Sequence, residues 1–292
     1  MEVIKKLFSR FRKKQYLSIV AIFKNEAHII DEWIAHYINE GVNHFYLIDN
    51  GSDDMYLEKI QSFIDKGIIT LFSDDEKWAQ VKLYNQYVLP IKNDSEWLMV
   101  CDLDEFIYAR NGYDTISDYL NSRPNNTAMI RIPWKMFGSN GNKKQPASVI
   151  DSFTKRCEYI NEIEHPGMRD PSHSSSKVIV RTKFLSYVNI HQCDLKKWPK
   201  RVIENSNGQA ITMEDPNHQY IDECLLNESF LHLNHYAIQS LDWFMKVKMT
   251  RGAADTERHE QIRNKDYFLK YDLTTNQIED SELSLKTNAN SR

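Results

Sequence analysis

Three acidic residues stand close together in the segment Asp102-Leu103-Asp104-Glu105, directly after the apolar run Trp97–Cys101. On an extended chain, a period of two places Asp102 and Asp104 on one face. Neighbouring carboxylates repel each other unless a cation lies between them, and Mg²⁺ and Mn²⁺ take oxygen ligands, often together with substrate phosphates. The segment therefore predicts a divalent metal site at Asp102 and Asp104. The alternative is a strand-end turn that caps a helix.

A second polar segment, Asp49-Asn50-Gly51-Ser52-Asp53-Asp54, follows another apolar run. Its glycine permits a tight turn, and its serine and aspartates are good helix caps. An ordinary capped turn is the simpler interpretation of this segment alone. A third polar pair, Asn25-Glu26, follows the first apolar run, and this recurrence favours a shared site.

The elements that carry these segments alternate between strand and helix patterns. Four apolar runs are typical of strands: Leu17–Phe23, Phe45–Ile48, Ile68–Phe72 and Trp97–Cys101. Three stripes of helical period lie between them: Glu26–Glu40, Tyr56–Ile64 and Trp78–Val88. This alternation predicts an α/β fold whose parallel sheet carries helices on both faces. Because such sheets bind ligands beyond the carboxyl ends of their strands, Asp49 and Asp102 are expected to share one crevice.

The second half of the chain has a weaker pattern. Strands are expected at Met129–Trp134, Lys177–Arg181, Val188–His191 and Phe230–His235, and a helix at Ser240–Thr250, ended by Gly252. Residues 138–176 are polar and lack periodicity. The chain turns polar again from Leu273, and a loose C-terminal tail is expected over residues 273–292. Because there is no repeat and no Pro/Gly-rich linker, we predict one continuous domain over residues 15–272.

Composition excludes several classes of protein. No apolar stretch approaches the roughly 18 residues that span a bilayer, which excludes a polytopic membrane protein. The 4 cysteines are widely spaced with no CxxC pair, which disfavours a disulfide scaffold and a zinc site and favours a reducing compartment. The net charge is -4, to which residues 1–14 contribute +5 and the remainder -9. A nucleic-acid partner is not expected, because it needs a basic face on the fold itself.

The N-terminal segment 1–14 has its own pattern. Lysines and arginines separate apolar residues at helical spacing: Val3, Ile4, Leu7, Phe8 and Phe11. This pattern indicates a short helix on an anionic membrane surface, with a frayed, solvated terminus as the equal alternative. No apolar core of a signal peptide follows it. A cytoplasmic protein, peripheral on the inner face of the cell membrane, is the expectation.

Four segments together resemble nucleotide-sugar glycosyltransferases of the GT-A fold, in the group similar to families 2 and 92. They are IVAIFKNEAHIIDEWIAHY (19–37), FYLIDNGSDD (45–54), WLMVCDLDEFI (97–107) and HLNHYAIQSLDWFMKVKMTRG (232–252). The resemblance implies a Rossmann-like, mixed α/β sheet flanked by helices, with a nucleotide-binding half (15–110) and an acceptor-binding half (111–272). It implies a UDP-sugar donor, a saccharide or glycolipid acceptor, and a role in bacterial surface polysaccharide or lipopolysaccharide synthesis.

The resemblance also implies roles for residues that bind the nucleotide. Asp49 would contact the uracil base, and the backbone of Phe23, Asn25 and Glu26 would line the nucleotide pocket. Lysines and an arginine on or just after the late helix would face the phosphates or form a solvated face: Lys246, Lys248 and Arg251. Three tryptophans would stack on sugar rings or pack in the core: Trp134, Trp198 and Trp243.

For the metal, the resemblance implies Asp104 together with Asp102 as ligands of Mn²⁺ or Mg²⁺ bridging the two phosphates. Asp102 has the alternative of binding the ribose or reaching the metal through water. His235 resembles the distal ligand that completes the metal shell, and His191 is its rival. Each histidine has the alternative of a hydrogen-bonded core or rim position.

The chemistry that follows is attack of an acceptor hydroxyl on the sugar carbon bonded to the diphosphate, with a carboxylate as the general base. In inverting members of this group the base lies between the acidic pair and the last strands. Glu162, Glu164 and Asp170 fit by position, and Glu164 is the preferred candidate. The clear Glu-Asp pair of the commoner family 2 pattern is absent here, so base and stereochemistry stay open.

Three alternatives remain. A nucleotidyltransferase shares acidic metal ligands, but normally has a Gly-rich loop after the first strand, where this chain has Lys24-Asn25-Glu26-Ala27. A non-catalytic sugar-binding protein is disfavoured by the intact aspartates. A metal hydrolase would need closely spaced ligands, and these histidines do not form such a set: His28, His36, His44, His165 and His173.

Overall fold

The structure, a computed structural model, describes residues 14–159, 175–212, 222–251 and 263–290. Its strands are β1 Gln15–Phe23, β2 His44–Asp49, β3 Ile69–Ser73, β4 Ser95–Val100, β5 Glu105–Ala109, β6 Thr127–Met136, β7 Lys155–Arg156, β8 Ser176–Arg181, β9 Leu185–Tyr187, β10 Asp194–Leu195, β11 Val202–Asn205, β12 Ala210–Ile211, β13 Leu231–His235 and β14 Ile278–Glu279. Its α-helices are α1 Ile30–Asn39, α2 Tyr56–Asp65, α3 Gln80–Leu83, α4 Ile116–Asn121, α5 Val149–Ser152, α6 Glu223–Glu228, α7 Leu241–Trp243, α8 Met249–Arg251, α9 Lys265–Thr274 and α10 Glu282–Asn290.

The main sheet has the strand order β12-β11-β6-β8-β4-β1-β2-β3, and β13 joins β5 to β6. The strands β4, β1, β2 and β3 are mutually parallel, whereas β8 runs antiparallel to both β4 and β6. The predicted α/β fold with a mixed sheet flanked by helices is therefore confirmed. The four strands predicted from the first half of the chain form the contiguous parallel block β4, β1, β2 and β3.

Strand β1 shows how the sheet separates two apolar layers. Successive side chains of a strand point to opposite faces. Leu17, Ile19 and Ala21 pack in the layer that contains Trp33 of α1 and its neighbours. Val20 and Ile22 pack in the opposite layer with apolar residues of the helical segment after β3, including Leu83, Tyr84 and Val88. Because both faces are covered, β1 is apolar without alternation, as in other buried parallel strands.

Two predicted helices are each built from more than one type of helix. The predicted helix Trp78–Val88 is α3 followed by a π-helical turn, Tyr84–Val88, and a 3-10 turn, Leu89–Asp94. The predicted helix Ser240–Thr250 is α7, a π-helical turn Phe244–Lys248 and α8. Such π-helical turns occur frequently at functional sites.

The predicted strand Val188–His191 is wrong. Residues 188–191 belong to no strand. The Asn85 side chain explains this, because its Oδ1 accepts from the Val188 backbone N–H at 2.9 Å and its Nδ2 donates to the Val188 carbonyl at 2.8 Å. One side chain thus satisfies the backbone groups that a strand would otherwise pair.

The predicted loose tail is also wrong for residues 273–290. Strand β14 pairs antiparallel with β7, and Leu283 of α10 is 2% exposed in the core. The Lys286 ammonium reaches Glu40 at 2.5 Å, and Glu282 Oε1 accepts from Arg110 Nε at 2.6 Å. The polar residues of this segment pair with charges on the domain.

We expect His36 of α1 to make the protein acid-sensitive. Its Nε2 lies 2.7 Å from the Ile107 carbonyl, and burial lowers the pKa of His36 to about 4. Because this folded-state value lies below the unfolded one of about 6.5, the neutral side chain favours the fold above pH 6.5, and this contribution falls as the pH drops towards 4. Between pH 7.5 and pH 5 the loss should be roughly 2 kcal/mol.

Urea unfolding at these two pH values tests this. His36→Gln should reduce the difference between them by most of that amount, since glutamine does not titrate. An unchanged difference in His36→Gln would contradict the assignment.

The predicted N-terminal helix falls almost wholly on residues 1–13, outside the described residues, and the membrane contact stays a prediction. Among the described helices, none is both long and apolar enough to cross a membrane.

Candidate functional site

The three predicted polar segments lie at one edge of the sheet. Phe23 at the end of β1 is opposite Asp49 at the end of β2. On the other side of β1, the Cys101 backbone N–H donates to the Val20 carbonyl at 3.2 Å, so Asp102 follows at the same edge. The carboxyl ends of parallel strands form this edge, as predicted.

Side chains join the segment after β1 to the turn after β2. The Asp53 backbone N–H donates to Asn25 Oδ1 at 2.9 Å, and the Asn25 N–H donates to Ser52 Oγ at 2.9 Å. Asn25 has φ 56° and Gly51 φ 77°, in the left-handed region that asparagine and glycine tolerate best. The two segments therefore form one fixed wall of the crevice.

The Asp49 carboxylate stabilises the turn that forms part of this wall. Asp49 is 6% exposed, and its Oδ1 accepts from the Ser52 backbone N–H at 2.8 Å. Burial and the nearby Asp49 carboxylate raise the pKa of Tyr56 to about 12. One Asp49 oxygen is therefore bound within its own turn, as the interpretation of this segment as an ordinary capped turn predicts. The contact of Asp49 with a nucleotide base stays a prediction.

The acidic segment forms a turn and not an extended strand. The Glu105 backbone N–H donates to the Asp102 carbonyl at 3.2 Å, which closes the turn between β4 and β5. Trp33 of α1 fastens this turn, because its Nε1 donates to the carbonyls of Asp102 and Glu105, both at 3.1 Å. The predicted placement of Asp102 and Asp104 on one face of an extended chain is thus wrong, and the two carboxylates have different partners.

Asp102 is paired with a buried lysine. Lys177 Nζ of β8 lies 2.7 Å from Asp102 Oδ2 and 3.5 Å from Glu105 Oε2, and its side chain is 0% exposed. Burial raises the pKa of Asp102, but the Lys177 ammonium outweighs burial and leaves that pKa below its usual value. The Gln80 amide donates to the other Asp102 oxygen at 3.2 Å. Asp102 is therefore an ionised carboxylate whose side chain is one-third exposed.

Asp104 lies between a lysine and a histidine. One of its oxygens pairs with Lys248 Nζ, and the other lies 3.5 Å from His235 Nε2. Burial opposes ionisation, but the Lys248 ammonium and the His235 ring hold the pKa of Asp104 well below its usual range. The His235 ring also lies 4.4 Å from the Trp134 ring. His235 is therefore the histidine beside Asp104.

His191, the rival, lies on the Asp102 side of the site. Its Nδ1 is 3.0 Å from the Ser176 carbonyl. Burial and the charge of Lys177 lower the pKa of His191 to about 4, so the ring is neutral at pH 7.

A divalent metal fits Asp104 and His235. A carboxylate oxygen and an imidazole nitrogen are ligands that suit Mn²⁺, and the 3.5 Å between Asp104 and His235 allows both to bind one ion. His235 Nδ1 is buried without a hydrogen-bond partner among the described residues. In that same part of the chain, no three His, Cys, Asp or Glu side chains converge as a metal site. A metal held here would have Asp104 and His235 as its protein ligands among the described residues, with its other positions open to phosphate oxygens.

Arg251 and Trp243 border the site next to the segment that follows β1. Arg251 Nη1 lies 2.5 Å from Glu26 Oε1 and donates to the Lys24 carbonyl at 2.6 Å. The Trp243 ring lies 5.7 Å from Lys248 Nζ and 5.6 Å from Arg251 Cζ. Two of the three predicted cations are therefore at the site.

The third, Lys246, pairs with Asp242 at 2.8 Å and its side chain is 71% exposed, so it belongs to a solvated face. Of the tryptophans, Trp134 and Trp243 border the site, whereas Trp198 is 81% exposed. The three predicted base candidates, Glu162, Glu164 and Asp170, lie outside the described residues, and the base stays a prediction.

Sequence reasoning missed Lys177 and Trp33. The signal for Lys177 is a lysine within the apolar strand SKVIVR, since a fully buried lysine needs a carboxylate partner. The Trp33 ring lies in a helical apolar stripe that predicts burial alone, and nothing local shows that its N–H holds the acidic turn.

The fold and the site define an α/β protein with a charged crevice at the carboxyl ends of its parallel strands, the position at which this class binds its ligands. The model of glycosyltransferase family 92 matches residues 16–267. The chain belongs to glycosyltransferase family 92, and the resemblance found in the sequence is confirmed.

Relatives and solved structures are more distant. A family 92 protein of Ricinus communis is 26% identical over 178 residues, 58% of this chain and 31% of that protein. One of Oryza sativa subsp. japonica is 26% identical over 55% of this chain and 29% of that protein. The chain therefore spans about a third of the length of these curated relatives.

Among solved structures, S. aureus TarS 1-349 has a TM-score of 0.38 at 16% identity, covering 58% of this chain and 48% of TarS 1-349. HddC from Yersinia pseudotuberculosis has a TM-score of 0.30 at 10% identity, covering 69% of this chain and 95% of HddC.

Proposed function

We propose that this chain transfers a sugar from a nucleoside diphosphate sugar, with uridine as the nucleoside, to a hydroxyl group of a saccharide acceptor. The observation that carries the proposal is Asp104 at the carboxyl edge of the sheet, between Lys248 and His235. Family membership supports sugar transfer, and the site supports an anionic donor.

The charge balance of the site supports a divalent ion that arrives with the donor. Four carboxylates of the site are paired with cations: Glu26, Asp102, Asp104 and Glu105. Their partners are three cations: Lys177, Lys248 and Arg251. A dianionic diphosphate would add two uncompensated negative charges, which Mn²⁺ or Mg²⁺ balances. When bound, such an ion supplies Lewis-acid stabilisation of the leaving diphosphate.

The chain's own residues then have separate tasks. Asp104 and His235 would hold the metal. Lys177 keeps Asp102 ionised and in place, which suits Asp102 for the ribose or for a water-mediated contact. Lys248 and Arg251 would bind phosphate oxygens and stabilise the charge that builds as the bond to the sugar breaks. Asp49 and the backbone of Phe23, Asn25 and Glu26 would hold the base.

For the general base we propose Glu164, with Glu162 and Asp170 as the alternatives, in an inverting transfer. A base on the face of the sugar opposite the leaving group removes the proton of the attacking hydroxyl. Glu164→Gln should then lower transfer and leave donor affinity unchanged, and full activity would move the role to Glu162 or Asp170.

A binding and turnover assay tests the donor class. We expect a UDP-sugar to bind in the presence of Mn²⁺ and to be slowly hydrolysed without acceptor. Lys248→Met should weaken donor binding roughly tenfold or more, because charge-assisted bonds to phosphate are lost. Lys246→Met is the matched control, since Lys246 lies on the same helical segment but is exposed.

Two outcomes would contradict the proposal. Release of pyrophosphate from a nucleoside triphosphate and a sugar phosphate would identify a nucleotidyltransferase. Equal donor affinities of Lys248→Met and Lys246→Met would contradict the proposal that Lys248 binds phosphate. The predicted place in bacterial surface polysaccharide or lipopolysaccharide synthesis stays a prediction, and the relatives matched above are plant proteins.

A further inference from the structure

Two buried N–H donors beside the proposed phosphate cations have no acceptor among the residues that the structure describes. They are Gln239 Nε2 and Trp243 Nε1. Gln239 is 0% exposed and Trp243 is 5% exposed. A buried donor without a partner costs about 1–3 kcal/mol, so such groups are rare in folded proteins. Their position beside a functional site indicates a ligand that supplies the acceptors.

A chain of hydrogen bonds determines which end of the Gln239 amide is unpaired. The Ser240 hydroxyl accepts from the Trp243 backbone N–H at 3.2 Å and donates to Gln145 Oε1 at 2.8 Å. Gln145 Nε2 in turn donates to Gln239 Oε1 at 2.8 Å, and His28 Nε2 lies 2.9 Å from the same oxygen. The Gln239 oxygen is therefore occupied, and its NH2 group is the end that has no acceptor among the described residues.

The backbone of Gln239 is held in an uncommon conformation. Its φ is 46°, in the left-handed region that a non-glycine residue adopts at some cost. Such residues cluster at ligand-binding sites, where the surrounding structure maintains them. Gln239 follows His235 by four positions in the chain, so the same segment carries the proposed metal ligand and the unpaired amide.

The position of these donors relative to the cations identifies the ligand. The Trp243 ring lies 5.7 Å from Lys248 Nζ and 5.6 Å from Arg251 Cζ, the groups assigned above to the diphosphate. The His28 ring lies 5.1 Å from the Trp243 ring and contacts Gln239 as well. The diphosphate carries two groups, the nucleoside and the donor sugar. The nucleoside is assigned above to Asp49 and the segment after β1, so the group left for Gln239 and Trp243 is the sugar, whose hydroxyl oxygens are hydrogen-bond acceptors.

We infer that Gln239 Nε2 and Trp243 Nε1 donate hydrogen bonds to hydroxyl oxygens of the donor sugar and so determine which hexose is accepted. The inference rests on the proposed function, because the diphosphate at Lys248 and Arg251 places the sugar. A site built to hydrogen-bond a substrate hydroxyl discriminates strongly against a sugar that lacks it there or presents it in another orientation.

Calorimetry with UDP alone and with a panel of UDP-hexoses, in Mn²⁺, tests this inference. Trp243→Phe removes the indole N–H and keeps a ring, and Gln239→Met removes the amide at nearly constant length. Each variant should weaken the best UDP-hexose roughly tenfold, the equivalent of one buried hydrogen bond, and change UDP affinity less than about twofold. Gln86→Met, at an exposed position, is the matched control for the second variant.

Four results separate the possibilities. UDP-hexose affinities within about twofold of the wild type in both variants would overturn the inference, as would an equal loss for UDP and UDP-hexose. A wild-type protein that binds UDP but gains nothing from any attached hexose would also overturn it. A wild-type protein that binds neither UDP nor a UDP-hexose would instead refute the proposed function itself.

Discussion

Replacing Asp104 with asparagine is expected to abolish Mn²⁺-dependent donor binding and to lower sugar transfer on the order of a thousandfold. The carboxylate pairs with Lys248 and faces His235, and it stays ionised because the pKa of Asp104 is held well below its usual range. Asparagine keeps the shape and one acceptor oxygen but removes the charge that a divalent ion requires. Losing one preorganised electrostatic group in an active site typically costs about 10²–10³ in turnover.

Calorimetry with a UDP-sugar and Mn²⁺, together with turnover on a saccharide acceptor, measures this effect. Asp65→Asn, an exposed position on α2, serves as the charge-matched control. Circular dichroism should show the same fold for both variants. Donor affinity that is unchanged in Asp104→Asn would refute the role of the acidic turn in metal and donor binding.

Replacing Asp280 with alanine is expected to destabilise the fold by roughly 3–5 kcal/mol, the usual cost of removing one partner from a buried ion pair. Asp280 Oδ2 lies 2.9 Å from Lys135 Nζ and 2.7 Å from Arg156 Nε. The Lys135 side chain is 0% exposed, so water cannot solvate its ammonium group once the Asp280 carboxylate is removed. Burial raises the pKa of Asp280, and attraction from Lys135 and Arg156 brings it below its usual value, so the carboxylate is ionised at neutral pH.

Urea unfolding at neutral pH tests this expectation, with Asp31→Ala as the control. Asp31 pairs with Lys59 at 3.0 Å, and the two side chains are 53% and 36% exposed, so removal should cost less than about 1 kcal/mol. A loss in Asp280→Ala no larger than that in Asp31→Ala would show that the C-terminal segment contributes little. That result would favour the loose tail predicted from composition.

Local patterns were sufficient for the first half of the fold. The predicted strands Phe45–Ile48 and Ile68–Phe72 differ from β2 and β3 by one residue at each end. Apolar runs of this length between helical stripes leave few other arrangements, because crossover connections between neighbouring strands force them to run parallel. The common edge of Asp49 and Asp102 follows from that topology.

The C-terminal segment could not be predicted in this way. Lys286 and Glu40 are 246 positions apart, and Asp280 lies 145 positions from Lys135. A polar segment has no periodicity that distinguishes solvation from pairing with buried charges. Its composition alone therefore favoured a solvated tail.

By itself, the sequence determined the α/β fold class and the acidic groups that follow the parallel strands, because burial and strand period are local properties. Its resemblance to known glycosyltransferases indicated the family. Only the tertiary structure decided which cation each aspartate faces. Lys177 pairs with Asp102 across 75 positions, and Lys248 with Asp104 across 144. The reason is physical: an ion pair depends on the distance between two side chains after folding, and no local pattern of residues encodes that distance.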